Sequence, residues 1–423
     1  MSGDGHEETL AADRRVLVIA AVATVAFVAI GAVSASVFAT SACDVLDPQP
    51  RDAAVLADDA DDAGVDLVDD LAVFRHVWGA RETVVEMADV TGLATGGEAI
   101  VVRGATTAVV DDAGVRAVAF GDTSAVVGSG DTVFALALTN VVSGQVDALR
   151  ALPTTLTPLA CVDTAVVGSP LAFHLDARDG ELLLARIEED AAEPMLELRA
   201  AAGVVWEAPI TVPMAPPGVL AERLSAFIGD DLVVVARRSA PGEASPALAA
   251  FDRLTGSERW TVDVAAVGID DTQRIDVRAL DGGLVVLDVR ADTDGRAPAT
   301  LIALDASDGQ LVWRHVVEGD LQDVHVTGEG VVFAVSRDDA LDIVTVDASG
   351  DMRTDVRVPG ASTAVFRADG ATWIAATDRG LLAADGTLTT TRHALLDVAI
   401  TPARAAVAVE TDRGPVVAVY RRS

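Results

Sequence analysis

The chain contains no lysine, so all 31 basic residues are arginine, set against 65 acidic residues and a formal net charge of −34. Without a basic face to neutralise phosphates, nucleic acid is not expected as a partner, and anionic lipid is disfavoured for the same reason. A GC-rich genome or salt adaptation would each produce this bias. Cysteine is almost absent, with Cys43 and Cys161 the only two. Far apart and in different kinds of segment, they exclude a disulfide framework. Cys161, in "PLACVDTAVV", reads as a small buried apolar residue. Aromatics are 4% of the chain and Asn140 is its one asparagine. Val, Ala and Leu must therefore fill the core, which 51% hydrophobic content allows.

Signatures of catalysis are missing too. The six histidines, at 6, 76, 174, 315, 325 and 393, show no H-x-H or H-E-x-x-H spacing that would hold a metal. No G-x-S-x-G elbow occurs, and "VVGSGD" is read as a turn. "ADTDGRAP" opens like a calcium loop but lacks the remaining ligands. The carboxylate pairs Asp111–Asp112, Asp230–Asp231 and Asp338–Asp339 resemble acid–base pairs, yet each falls at an expected turn, which explains it without an active site. No catalytic residue, cofactor or metal is expected.

What is present begins with residues 16–40, "VLVIAAVATVAFVAIGAVSASVFAT", 25 residues without a charge. That length suffices for a helix across a bilayer. Arg14 and Arg15 precede it and Asp44 and Asp47 follow, so residues 1–15 are expected in the cytoplasm and everything beyond the span outside. Cleavage as a signal peptide and lipidation at Cys43, after "ATSA", remain open. Residues 41–70 hold ten aspartates and one arginine, the composition of a solvated flexible linker; the group Asp58, Asp59, Asp61 and Asp62 lacks the turn glycine of a calcium loop.

From residue 71 to 423, short apolar runs alternate with Gly, Asp and Pro, an all-β pattern without convincing helical periodicity. Self-similarity refines it. "LAAFDRLTG", "LIALDASDG", "IVTVDASG" and "LLAADG" align on Asp252, Asp305, Asp347 and Asp385, at intervals of 53, 42 and 38 residues. Each interval suits one four-stranded blade. "DARDGELLLARIEED" likewise matches "RALDGGLVVLDVRAD", each leading on to a tryptophan, Trp206 or Trp313. Asp at a strand end accepts turn N–H groups, Gly supplies positive φ, and Trp offers a flat surface for a neighbouring sheet. The expectation is a single β-propeller of eight blades, with seven as the alternative. Residues 72–88 would supply the fourth strand of a last blade built from the C-terminus, and residues 121–170 form the faintest blade.

Two stretches carry a specific resemblance. "AFDRLTGSERW" places Ala250, Asp252, Gly256 and Trp260, and "ALDASDGQLVW" places Ala303, Asp305, Gly309 and Trp313, at A-x-D-x-x-x-G-x-x-x-W spacing. This is similar to the tryptophan-docking motif of the PQQ-like propeller repeats, found in quinoprotein alcohol dehydrogenases and in the outer-membrane assembly lipoprotein of the Bam complex. The enzymatic branch of that family implies pyrroloquinoline quinone with calcium, Glu and Asn ligands and commonly a vicinal disulfide. Adjacent cysteines are lacking here, and Asn140 fits no such set. The resemblance thus implies a non-catalytic binding or scaffolding propeller, held by one helix and meeting a protein or cell-envelope partner. The alternative is an enzyme of the quinoprotein-like superfamily, or a hydrolase, with a site in the propeller channel.

Overall fold

The computed structural model describes residue 43, residues 46–51, 54–55 and 71–86 and, with interruptions, residues 90–422. The expected membrane span at 16–40, the residues before it and the aspartates at 58, 59, 61 and 62 lie outside the described residues. Among the described residues, no helix is long and apolar enough to cross a membrane.

The protein is all-β, built from four-stranded antiparallel sheets in a manner consistent with a β-propeller. Valine-rich strands such as Gly330–Arg337 are buried along most of their length, because blades cover both faces of one another, and β-branched residues suit such a position. We number the units as blades. Blade 1 runs from Gly92–Gly96 to Gly114–Ala119, blade 2 from Ser124–Val127 to Cys161–Asp163, and blade 3 from Leu171–Arg178 to Gly203–Pro209. Blade 4 spans Leu224–Ile228 to Glu258–Asp263, blade 5 Gln273–Asp281 to Leu311–Val317, and blade 6 Asp320–Thr327 to Met352–Pro359. Blade 7 spans Ala364–Asp369 to Leu388–Thr390. Blade 8 takes Leu395–Ile400, Arg404–Val409 and Val416–Arg421 from the C-terminus, and its fourth strand is Arg81–Glu86, with Val84 opposite Ala418. The strand expected from residues 72–88 thus closes the sheet.

From blade 3 onward, the first strands of successive blades stand side by side, and Leu395–Ile400 of blade 8 stands beside Gly92–Gly96 of blade 1. Blades 2 and 3 share one sheet, because Val146 pairs with Ala172. That fusion explains why the sequence pattern is faintest there.

Three expectations need correction. Residues 71–80 are not strand: Arg75–Trp78 is a short helix. Its flank buries Leu71, Phe74 and Trp78 against blade 8, where the Tyr420 hydroxyl donates to the Leu71 carbonyl at 2.6 Å. Nor are residues 43–55 all free tether. Gln49–Arg51 pairs with the outer strand of blade 1, Ala54–Val55 pairs with the outer strand of blade 8, and Leu46 is fully buried beside Val118 and Phe120. Local charge was a poor guide here, since an exposed sheet edge accepts any backbone. Finally, the two cysteines are not independent. Cys43 and Cys161 form a disulfide with Cα atoms 5.9 Å apart, across a sequence separation of 118. Cys43, Leu46, residues 49–51 and residues 54–55 thus trace a strap over the outer edges of blades 2, 1 and 8.

Candidate functional site

The most distinctive residues of the sequence sit at contacts between blades. In blade 4, Asp252 ends a strand and its Oδ1 accepts the N–H groups of Leu254 and Thr255, while the Gly256 N–H donates to the Asp252 carbonyl at 2.8 Å. Asp305 and Gly309 repeat this in blade 5, Oδ1 accepting from the Ser307 N–H at 2.7 Å and its hydroxyl at 2.6 Å. The Arg259 guanidinium, helped by Thr255, holds the Asp252 carboxyl down at about 2. Asp305, Asp347 and Asp385 are lowered in the same way by turn hydroxyl and N–H donors.

The glycines are the floor on which the preceding blade's tryptophan rests. A Cβ at Gly256 would lie 2.7 Å from the Trp206 ring, and one at Gly309 would lie 2.9 Å from Trp260 and 2.5 Å from Val262. Both glycines also have positive φ, 68° and 74°, so a side chain is excluded twice over. The tryptophan N–H groups find backbone partners: Trp206 Nε1 donates to the Arg253 carbonyl and Trp260 Nε1 to the Ala306 carbonyl, each at 2.8 Å. Ala250 and Ala303, fully buried, face Trp260 and Trp313 across their strands and leave room for the indole. Trp313 docks beside Gly350, where the turn is one residue shorter, and its Nε1 has no partner among the described residues. Blade 6 offers Val356 to Gly386 in place of a tryptophan.

A second recurring device was missed in the sequence. Asp176 of blade 3, Asp323 of blade 6 and Asp397 of blade 8 stand on innermost strands, each at a break in strand register. Each carboxylate accepts the N–H of the next residue in its chain and one N–H from the adjoining blade. The cross-blade donors are Ile228 to Asp176 and Phe366 to Asp323, both at 2.7 Å, and Leu93 to Asp397 at 2.8 Å. In blade 4 the Ser225 hydroxyl accepts from the Val277 N–H at 3.0 Å. A bulge leaves backbone N–H groups without ladder partners, and these side chains satisfy them. Burial pushes the Asp176 and Asp323 carboxyls up. Beside Asp176, burial pushes the His174 imidazole down to about 4. The legible signal was an aspartate inside an apolar run, "HLDA", "LQDV" and "LLDV", where a turn residue is out of place.

Arginine answers the buried acids elsewhere. Asp288, fully buried, accepts from Arg278 at 2.8 Å and Arg290 at 3.0 Å. Glu197 lies between Arg186 and Arg199, and Asp342 between Arg337 and Arg357. Arg404, 2% exposed, meets Glu82 and Asp112 and ties blade 8 to the first blade. Forked guanidinium donors fit such pairs better than lysine would. The aspartate pairs fall at turns: Asp338 and Asp339 both have positive φ in a two-residue hairpin, and Asp111 accepts from the Ala113 N–H. His315 meets the Gly350 carbonyl at 2.8 Å. Among the described residues no cluster of His, Cys, Asp and Glu could hold a metal.

Four-stranded sheets arranged blade after blade, with tryptophans docked on glycine turns, are consistent with a β-propeller whose repeats are similar to the PQQ-like kind. Residues 247–420 match the family model described as outer membrane protein assembly factor BamB, a match over less than half of the chain. No curated protein matches the chain. Among solved structures it is similar to a chain of the mitotic checkpoint complex, at 9% identity over 81% of this chain and 92% of that one, with a TM-score of 0.43. A prolyl endopeptidase is similar at 14% identity and TM-score 0.48, over 83% of this chain and 55% of that one. The quinohemoprotein alcohol dehydrogenase ADHIIG from Pseudomonas putida HK5 is similar at 9% identity and TM-score 0.44, over 80% and 75%.

Proposed function

We propose that the protein is a membrane-anchored, extracytoplasmic propeller that binds or scaffolds a protein or cell-envelope partner and performs no catalysis. The observation that carries this reading is the Cys43–Cys161 disulfide, because such bonds persist in oxidising compartments outside the cytoplasm. It agrees with the charge asymmetry around residues 16–40, two arginines before the run and aspartates after it. It also bears on Cys43: a sulfur in a disulfide is not available for a lipid thioether, which favours the helix as the anchor. The binding role is supported by what the conspicuous residues do. Asp252, Gly256, Trp260 and their repeats serve turns and docking, leaving the loops that do not repeat to carry recognition.

The test is protease treatment of intact cells, followed by crosslinking and co-purification of the full chain from membranes. Degradation of the propeller in intact cells, with one envelope protein recovered in stoichiometric amount, is expected. A protected propeller would overturn the location, and a turnover activity in the purified chain would overturn the non-catalytic role.

A further inference from the structure

A cavity of about 250 Å³ opens among the innermost strands of blades 7, 8 and 1, lined in part by Gly92, Arg103, Val365, Arg367, Leu396 and Asp397. Its charge runs against that of the molecule. Two guanidiniums and one carboxylate leave an excess of one positive charge, in a chain whose net charge is −34.

Asp397 is fully engaged: Oδ2 accepts the Leu93 N–H at 2.8 Å, and Oδ1 accepts the Val398 N–H at 2.8 Å and Arg367 Nη2 at 2.7 Å. Arg103 lies within electrostatic reach of Asp397 but makes no ion pair with it among the described residues. Its Nε is buried with no partner among the described residues, and burial is the largest influence on it, lowering its pKa. Room for its head group comes from Gly92, opposite it in the sheet, where a Cβ would lie 2.7 Å from Arg103 Nη2. Asp323 of blade 6 does not line the cavity, and its carboxylate is taken up by the Val324 and Phe366 N–H groups. The lining also includes the apolar side chains of Val90, Val365 and Leu396, and Leu396 is 36% exposed on an innermost strand.

We propose that this cavity binds a small aliphatic monocarboxylate, its carboxylate on the Arg103 guanidinium and its hydrocarbon against Val365 and Leu396. The fork of an arginine matches the two oxygens of a carboxylate. The single excess positive charge matches a monoanion, and the apolar lining residues select against inorganic anions. The proposal goes beyond the scaffolding role and stands or falls separately, because co-purification of a partner does not read this cavity.

The test is calorimetric titration of the purified full chain with sodium hexanoate, 1-hexanol and sodium phosphate. Saturable one-to-one binding of hexanoate is expected, at least tenfold tighter than hexanol or phosphate, and weakened at least tenfold in Arg103→Gln. Arg103→Lys keeps the charge beside Asp397 and loses the fork, so it preserves the test if Arg103→Gln does not fold; at least tenfold weaker binding is expected there too. Equal binding of hexanol shows that only the hydrocarbon is read and overturns the proposal. Equal binding of phosphate, or hexanoate binding unchanged in both variants, overturns it as well.

Discussion

A tryptophan resting on a glycine is a contact with no tolerance, and it repeats between blades 3 and 4, 4 and 5, and 5 and 6. Gly309→Val would force a Cβ to 2.5 Å from Val262 and 2.9 Å from Trp260 and place a β-branched residue at positive φ, so a loss of at least about 2 kcal/mol is expected. Trp260→Ala removes the ring instead, at about 3–5 kcal/mol; chemical denaturation measures both. His174 gives a pH signature. Its native pKa, about 4, lies below the ordinary 6.5, so its contribution is complete above pH 6.5. As the pH falls toward 4, the unfolded chain takes up a proton that the native state refuses, and stability declines. Asp176 and Asp323, raised by burial, act with the opposite sign, favouring the native state as pH falls. His174→Leu isolates the histidine: its denaturation midpoint should change less between pH 6.5 and 4 than that of the parent chain.

At the scale of the element, the repeat was legible because each blade solves the same packing problem with the same residue types. Asp252, Asp305, Asp347 and Asp385 mark turns that the structure reproduces, and Arg81–Glu86 takes the closing place that the repeat spacing required. The strap was not legible, since its strands are two and three residues long, in a stretch whose aspartates speak only of solvent. The carboxylates bridging blades stayed hidden for another reason: their partners are backbone groups up to 304 residues away in sequence. The closing strand gives a prediction by truncation. A chain starting at residue 90 leaves blade 8 with three strands and Tyr420 without its aromatic neighbours Phe74 and Trp78, and is expected not to fold cooperatively. A chain starting at residue 71 keeps both and should fold with a lower melting temperature, as circular dichroism would show.

For the molecule as a whole, one covalent bond restrains a long loop. Closing 118 residues limits the unfolded chain by up to about 5 kcal/mol in the chain-entropy account, with measured effects more often about 2–4 kcal/mol. Cys161→Ser should lower stability on that scale, and reductant should have little further effect on the variant. The strap also fixes a distance. Only Ser41 and Ala42 lie between position 40, the end of the apolar run, and Cys43, and the three Cα–Cα steps reach no further than about 11 Å. With that run in the bilayer as proposed, the rim of blade 2 rides close to the lipid surface like a boat moored short, and a partner must come alongside it there. Cutting the disulfide would pay out the chain only as far as Leu46 and Gln49–Arg51, which stay held by blade 1, moving the mooring from the rim of blade 2 to that of blade 1.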